Sequence, residues 1–511
     1  MGSLFFFFTV MKSSRWQFRF LRVSDQMALA LALVMSLQTV ASPNVIFIAV
    51  DDLNDWIGCL GGHPQAITPH LDRLAQRGIL FTNAHCVAPA CRPSRSAVFS
   101  GQLPQQTGAW SNQSPDIIKD LPEGSLLPHY LVQHGYATLG TGKLFHGGGT
   151  EFFQSGYQTE QRWSPFTRQQ VNYTEEELPS KGSQAPRHLV SNGPGGHDYM
   201  LPINGLPSER NPEKISGESF DWGAFEVEDS AMGDVRITDW AMSQLTIPQE
   251  KPFFLGVGYY RPHIPLFAPG QDFAVYPPVK DIQLPTTLAN DLHDLGPTAR
   301  KWALEPITAG SHRSVKVSGQ WRQAVRAYLA CVTFVDRQIG RLLQHLEQSS
   351  HAHNTWIVLW GDHGWHLGEK QHWGKWTGWR AATRVPLIIV PPLEDRLAVR
   401  NQSCDSPVSL LDLYPTILDL CRVPPREELA GKSLLPLVRD PGIRTKRQVM
   451  TMFDRGNIAI SGHAWRYIQY ADGEEELYHI AKDPHEWHNL AGMAPYRSKL
   501  LRFRLEAQVD W

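Results

Sequence analysis

Four short polar sets stand out in the 511-residue chain because each follows an apolar run. Asp51-Asp52 follows Asn44 to Val50, and Gly142-Lys143 with His146 follows Ala137 to Thr141. Arg261-Pro262-His263 follows Phe253 to Val257, and Gly361-Asp362-His363-Gly364 follows Trp356 to Trp360. An open α/β sheet binds its ligands beyond the carboxyl ends of its strands, so these are the positions where chemistry is expected. A single polar pair is as readily a helix cap or a solvated loop; four sets in one chain point to a site. Asp51, Asp52 and Asp362 would repel one another unless a cation neutralised them. Three carboxylates with one imidazole, His363, suit a hard divalent ion, Ca²⁺ first and Mg²⁺ as the alternative. Arg92, Arg95, Lys143, Arg261 and Lys375 would add a basic pocket for an anionic substrate. The whole-chain charge of −2 supplies no global attraction to nucleic acid or to an anionic membrane, so anion binding must be local.

These groups need a scaffold, and the hydrophobic pattern supplies one. The NVIFIAV run ending at Val50 has the continuous β-branched character of a strand buried on both faces. Thr68-Pro69 then opens a helix carrying Leu71, Leu74 and Ala75, and Gly78 closes it. A stripe of Trp321, Val325, Tyr328, Val332, Val335, Ile339 and Leu342 predicts a long helix from about 320 to 346, ahead of the Trp356 strand. This alternation, with a further strand at Leu387 to Val390, predicts an α/β fold with a mostly parallel central sheet. Residues 150–230 read as long loops walling a site. Beyond about 442 the pattern becomes short alternating segments and a final helix, a small antiparallel α+β subdomain. The expected organisation is a signal peptide over 1–41, a catalytic domain over 42–442 and the subdomain over 443–511. Lys12, Arg15, Arg19 and Arg22 precede an apolar stretch from Met27 to Leu37, too short to span a membrane, and small residues follow. Export without a stable membrane anchor is therefore expected. Six cysteines in so long a chain are not a disulfide framework. Five of the 17 tryptophans fall between Trp360 and Trp379; Trp373, Trp376 and Trp379 flank Lys375 and could stack on sugar rings.

The sharpest signal is Cys91-Arg92-Pro93-Ser94-Arg95, followed by Phe99-Ser100-Gly101. In ordered company with the four sets, C-x-P-S-R resembles the type I sulfatases, whose motif cysteine is converted to formylglycine. The resemblance covers nearly everything from Asn44 to Glu476-Leu477-Tyr478 and Asp483-Pro484-His485. It is nearest the iduronate-2-sulfatase branch in Asp362-His363, in Gly142 to His146 and in Trp373-Gly374-Lys375. The element after the motif departs from the usual Leu-Thr-Gly but keeps an apolar residue, a hydroxyl and a glycine. The resemblance implies an alkaline-phosphatase-like fold and one divalent ion held by Asp51, Asp52, Cys91 as formylglycine, Asp362 and His363. It implies a hydrated aldehyde at residue 91 whose one hydroxyl attacks sulfur and whose other then collapses to expel sulfate. Arg95 would orient that gem-diol, Lys143 and Lys375 would hold sulfate oxygens, His146 would take the remaining hydroxyl proton, and His263 would serve the leaving oxygen. The implied partners are a sulfated saccharide, such as one bearing 2-sulfated iduronate, and a formylglycine-generating enzyme. The rival activities are a phosphonate or phosphodiester hydrolase of the same superfamily and a non-catalytic glycan-binding protein with an unconverted thiol.

Overall fold

The computed structural model describes residues 42–114, 121–122, 124–159, 162–171, 188–209, 219–306 and 310–508. The segment read as a signal peptide, 1–41, lies outside them. Residues Pro43–Trp511 form one compact unit. The strands of its main sheet are β1 (Asn44–Val50), β2 (Ile79–Phe81), β3 (Ala137–Gly142), β4 (Ser155–Tyr157), β5 (Phe253–Tyr259), β6 (Thr355–Gly361), β7 (Leu387–Val390) and β8 (Gln402–Cys404). They make one sheet in the order β8-β2-β7-β6-β1-β5-β3-β4. β1 pairs in parallel with both β6 and β5, and β5 in turn with β3. β7 is the reversed strand, antiparallel to β6 and to β2. The sheet is thus mixed but mostly parallel, and β2, β4 and β8 are strands of three residues, too short to register as periodic runs.

Every residue of β1 is buried, because helices cover both faces. Ile46, Ile48 and Val50 pack into one layer with α1 (Pro69–Arg77), α3 (Gly233–Thr246) and α4 (Trp321–Gln348). Val45, Phe47 and Ala49 pack into the other, with α2 (Cys91–Ser100) and α5 (Leu413–Cys421). Phe99, next after the pentapeptide's first turns, stacks on Phe145 at 4.3 Å between centroids and meets Phe47 edge-on at 5.9 Å. Ser100 donates to the carbonyl of Ser96, and Gly101 closes α2 with φ of 70°. Phe99, Ser100 and Gly101, the triplet that departs from the usual one at its first two positions, therefore have packing and capping work of their own. Thr68 does not cap α1: its hydroxyl accepts from the Gly58 amide at 2.8 Å. The cap comes from α4, where the Asp336 carboxylate accepts from Leu71 N at 2.7 Å and His70 N at 3.2 Å.

The C-terminal sheet is a meander of β9 (Val449–Met452), β10 (Ile458–Ser461), β11 (Arg466–Gln469) and β12 (Glu475–Tyr478). β10 is a strand that the alternation did not reveal. One face takes α6 (Arg497–Glu506) through Leu500 and Phe503; the other packs Phe453, Ile468 and Tyr470 against Trp379, Ala299 and Ala303 of the main body. All six cysteines are unpaired. Among the described residues no helix is long and apolar enough to cross a membrane.

Two glycines let β3 and β5 converge where the site begins. Gly142 has φ of +71°, and a Cβ there would lie 2.1 Å from the Gly258 oxygen. A Cβ on Gly258 would lie 2.2 Å from the carbonyl carbon and oxygen of Lys143, backbone atoms that cannot rotate away. Gly258→Ala is therefore expected to lower the unfolding free energy by about 1–3 kcal/mol, read as a lower urea midpoint. Gly492→Ala, where nothing lies within 4 Å of the new Cβ, should leave the midpoint unchanged.

Candidate active site

The order of strands decides which polar sets meet. β1 lies between β6 and β5, so Val50 is paired with both Gly361 and Tyr259 and the residues that follow all three strands emerge together. The Asp51 amide donates to Tyr259 O, and the Asp362 amide to Val50 O, each at 3.2 Å. Lys143 leaves β3 with its amide on Gly258 O at 2.8 Å. Asp52 turns back with φ of 58°, a left-handed conformation. Its amide donates to Asp362 Oδ1 at 3.0 Å and its carbonyl accepts from the Tyr328 hydroxyl at 2.7 Å. The sequence places Tyr328 only on an apolar helix stripe; its hydroxyl, which also accepts from Asn54 N at 3.0 Å, pins the Asp52 turn.

Cys91 is the first residue of α2 and is fully buried. Lys375 Nζ lies 3.0 Å from its sulfur, His363 Nε2 3.3 Å and Lys143 Nζ 3.6 Å, and His146 hydrogen-bonds it as well. Burial pushes the thiol up, yet the Lys143 and Lys375 ammoniums, His363 and His146 together hold it well below the usual range. Residue 91 therefore sits where negative charge is stabilised.

Around it three cations meet three carboxylates. Arg95 Nε donates to Asp362 Oδ2 at 2.8 Å and Nη2 to Asp51 Oδ1 at 3.3 Å. Lys143 donates to Asp51 Oδ2, and Lys375 to Asp52 Oδ1 at 2.7 Å. Each cation also faces an aromatic ring: Arg95 over Trp360, Lys143 over Tyr260 and Lys375 over Trp365, at 5.8, 5.6 and 5.6 Å. Burial raises the Asp51 carboxyl, but Lys143, His263 and Arg95 outweigh it and hold the group below its ordinary value. Burial lifts Asp362 to about 7 despite Arg95. His363 is lowered by burial but carried up to about 9 by Asp362. His263 and His146 are both held down, chiefly by burial, so each is a neutral imidazole near pH 7.

The donor set fits a divalent ion. Ligand atoms of Asp51, Cys91, Asp362 and His363, and likewise of Asp51, Asp52, Cys91 and His263, lie within 4.8 Å of one another. Asp52 Oδ2 is buried with no hydrogen-bond partner among the described residues, and His263 Nε2 is 4.0 Å away. An orphaned buried carboxylate oxygen is expensive, and a cation satisfies it.

Above this floor opens a cavity of about 920 Å³, lined by His146, His263, Lys375 and Trp376 on the inner side. Its outer wall comes from 298–306, with Trp302, and from Asp454, Arg455, Asn457 and Asp472 in turns of the C-terminal sheet. The sequence did not point to those outer residues, since charged turn residues carry no periodic signal. Three expectations are corrected. Arg261 is not part of the basic pocket: it is fully buried and donates to the carbonyls of Phe267, Ser164, Arg162 and His263, fixing the loop that carries His263. Arg92 sits beside the pocket rather than in it, donating to Asn112 O at 3.1 Å. Trp373 and Trp379 are core residues, 2% and 1% exposed, which leaves Trp376 as the one of the three flanking tryptophans that lines the cavity.

The comparisons agree with this geometry. The sulfatase family profile matches residues 43–423, and that of the N-sulphoglucosamine sulphohydrolase C-terminal region matches 368–509. A sulfatase of Formosa agariphila is 35% identical over 468 residues, covering 90% of this chain and 85% of that protein. Iduronate 2-sulfatase of Mus musculus is 29% identical, covering 68% and 59%. Among solved structures, a 2-O GAG sulfatase superposes with a TM-score of 0.65 at 22% identity, covering 91% of each chain. A phosphonate monoester hydrolase of Silicibacter pomeroyi gives 0.68 at 20%, covering 91% of this chain and 94% of that one. Both likenesses show the shared alkaline-phosphatase-like fold. With its pentapeptide cysteine gripped by two lysines beside three buried carboxylates, and with the family profile spanning most of its length, the chain belongs to the sulfatase family.

Proposed function

We propose that this sulfatase hydrolyses a sulfate monoester carried on a saccharide, with an acidic sugar such as 2-sulfated iduronate as the best candidate. The observation that carries the reading is the placement of Cys91 against Lys143, Lys375, His363 and His146, directly beneath the Lys375 and His146 side chains that line a cavity wide enough for a sugar. Residue 91 in the active protein is formylglycine, whose hydrate supplies an attacking hydroxyl. Asp51, Asp52, Asp362 and His363 would hold one Ca²⁺, with Mg²⁺ the alternative, and the ion would supply positive charge to the site; Asp51 and residue 91 belong to both sets of closely spaced ligand atoms, one completed by Asp362 and His363 and the other by Asp52 and His263. Arg95, fixed between Asp362 and Asp51, keeps residue 91 and the carboxylates in register. Lys143 and Lys375, each within 3.6 Å of the residue 91 side chain, bind and neutralise the sulfate oxygens. His146, neutral and touching residue 91, accepts the proton of its hydroxyl. His263, on the cavity side of Asp51 and Asp52, serves the leaving sugar oxygen. Cys91 is wholly buried in a helix, so a formylglycine-generating enzyme would meet the pentapeptide before the chain folds. Export through the basic and apolar segment before residue 42 belongs to the same reading. Support for the acidic sugar comes from iduronate 2-sulfatase among the relatives.

Cys91→Ser, which can form no gem-diol, is expected to fold normally and lose at least about a thousandfold in turnover of a sugar sulfate. Full activity of that variant would remove formylglycine from the mechanism, and preference for matched phosphonate esters would move the enzyme to the rival class. Ca²⁺ at a hundredfold excess over its Kd should stabilise the protein by about 2.7 kcal/mol in chemical denaturation. Asp52→Asn should lose that stabilisation and its bound ion in metal analysis. His263→Ala should slow a sugar sulfate by about 10²- to 10⁴-fold yet hardly affect an activated aryl sulfate, because the better leaving group needs no proton. Equal losses on both substrates would assign His263 to binding alone.

A further inference from the structure

We propose that a basic groove at the far end of the C-terminal sheet is a second, non-catalytic site that binds a sulfate-bearing stretch of a polysaccharide chain. The groove, of about 180 Å³, lies between residues 445–448 entering β9, the turn 462–465 joining β10 to β11, and α6. Lys446 and Lys499 reach it without a carboxylate partner among the described residues, in a chain whose total charge is −2. The other basic groups there are engaged: Arg447 by Asp412 at 2.6 Å, Arg502 by Glu506 at 3.1 Å, and His463 opposite Asp405 at 3.4 Å. One further feature suits a sugar ester better than a bare anion. The half-buried Trp465 indole lines the groove, held between His479, Tyr496 and the Lys499 ammonium, which lies 5.3 Å from its centroid. A sulfated sugar offers oxyanions to the two lysines and its C–H groups to the open edge of the indole.

Topology connects the groove to the catalytic cavity. β9, β10 and β11 each run four residues between the two: the turns 453–457 and 471–472 at one end line the cavity, and 445–448 and 462–465 at the other line the groove. The strands separate them by roughly 13 Å, at about 3.3 Å per residue. A polymer seated in the groove is presented to the cavity at high effective concentration, whereas a short saccharide gains nothing from it. This inference rests on the saccharide reading of the catalytic site.

The test uses the full chain. In a Cys91→Ser background, dextran sulfate should bind by calorimetry, carboxymethyl dextran of matched charge density several-fold more weakly, and plain dextran not at all. Adding Lys446→Gln and Lys499→Gln should weaken dextran sulfate binding about tenfold. In the active enzyme the same pair should raise KM for a sulfated polysaccharide about tenfold and leave kcat/KM for a small sugar sulfate unchanged. Unchanged polymer binding in the double variant overturns the groove. So does equal affinity for carboxymethyl dextran or for anionic phospholipid vesicles, which would mark a generic anionic contact. If sugar sulfates are not hydrolysed at all while the two lysines still govern dextran sulfate binding, the catalytic reading falls and the groove stands.

Discussion

Three carboxylates, Asp51, Asp52 and Asp362, are buried with no exposure at the ends of two adjacent strands, and their mutual repulsion is the constraint around which the molecule is organised. Isolated, such charges would unfold or protonate the site. Arg95, Lys143 and Lys375 are brought from three different elements to oppose them, and each cation is itself backed by an aromatic face. Pairs of this kind contribute little net stability, but losing one partner costs several kcal/mol, so the surrounding fold must hold every member at once. The function follows from the same balance: groups that neutralise buried carboxylates also stand beside residue 91, where an anionic ester has to be accepted.

Holding them is the work of the backbone. The parallel arrangement of β1, β5 and β6 sends three strand ends to one place, and Gly142 and Gly258 let β3 approach closely enough to bring Lys143 there. α4 acts at two points on its length: Tyr328 fixes the left-handed turn at Asp52, and Asp336 caps α1. Arg261 ties together four carbonyls beneath His263. The buried charged side chains here are satisfied by one another across elements far apart in sequence, and Tyr328 and Asp336 by distant backbone groups, which makes the site a property of the entire sheet rather than of any loop.

The C-terminal sheet completes the wall of the cavity. It buries Trp379 and shields the Arg466–Glu486 pair, formed at 2.8 Å, while its turns supply Asp454, Arg455 and Asp472 to the cavity rim. The cavity wall is shared between this sheet, the 298–306 segment and the stretch that contributes Arg162 and Ser219.

What the sequence by itself determined was the chemistry at strand ends. Buried parallel strands are continuous apolar runs, so the polar residues following them can be read directly, and Asp51, Asp52, Lys143, His263 and Asp362 all lie in the site. The pentapeptide did the same for Cys91 and Arg95. What only the tertiary structure decided was which polar and aromatic groups face the cavity. Arg261 and His263 stand two residues apart, yet one is consumed by carbonyls and the other faces the ligand. Trp373 and Trp376 stand three apart, yet one is core and the other cavity wall. β7 runs antiparallel to both its neighbours although its composition matches that of the parallel strands β1 and β6, because strand direction is set by the connections and not by side-chain burial. Tyr328 and the C-terminal turns were invisible for the same reason: their roles depend on partners hundreds of residues away, and local patterning records burial and periodicity but not the identity of the neighbour.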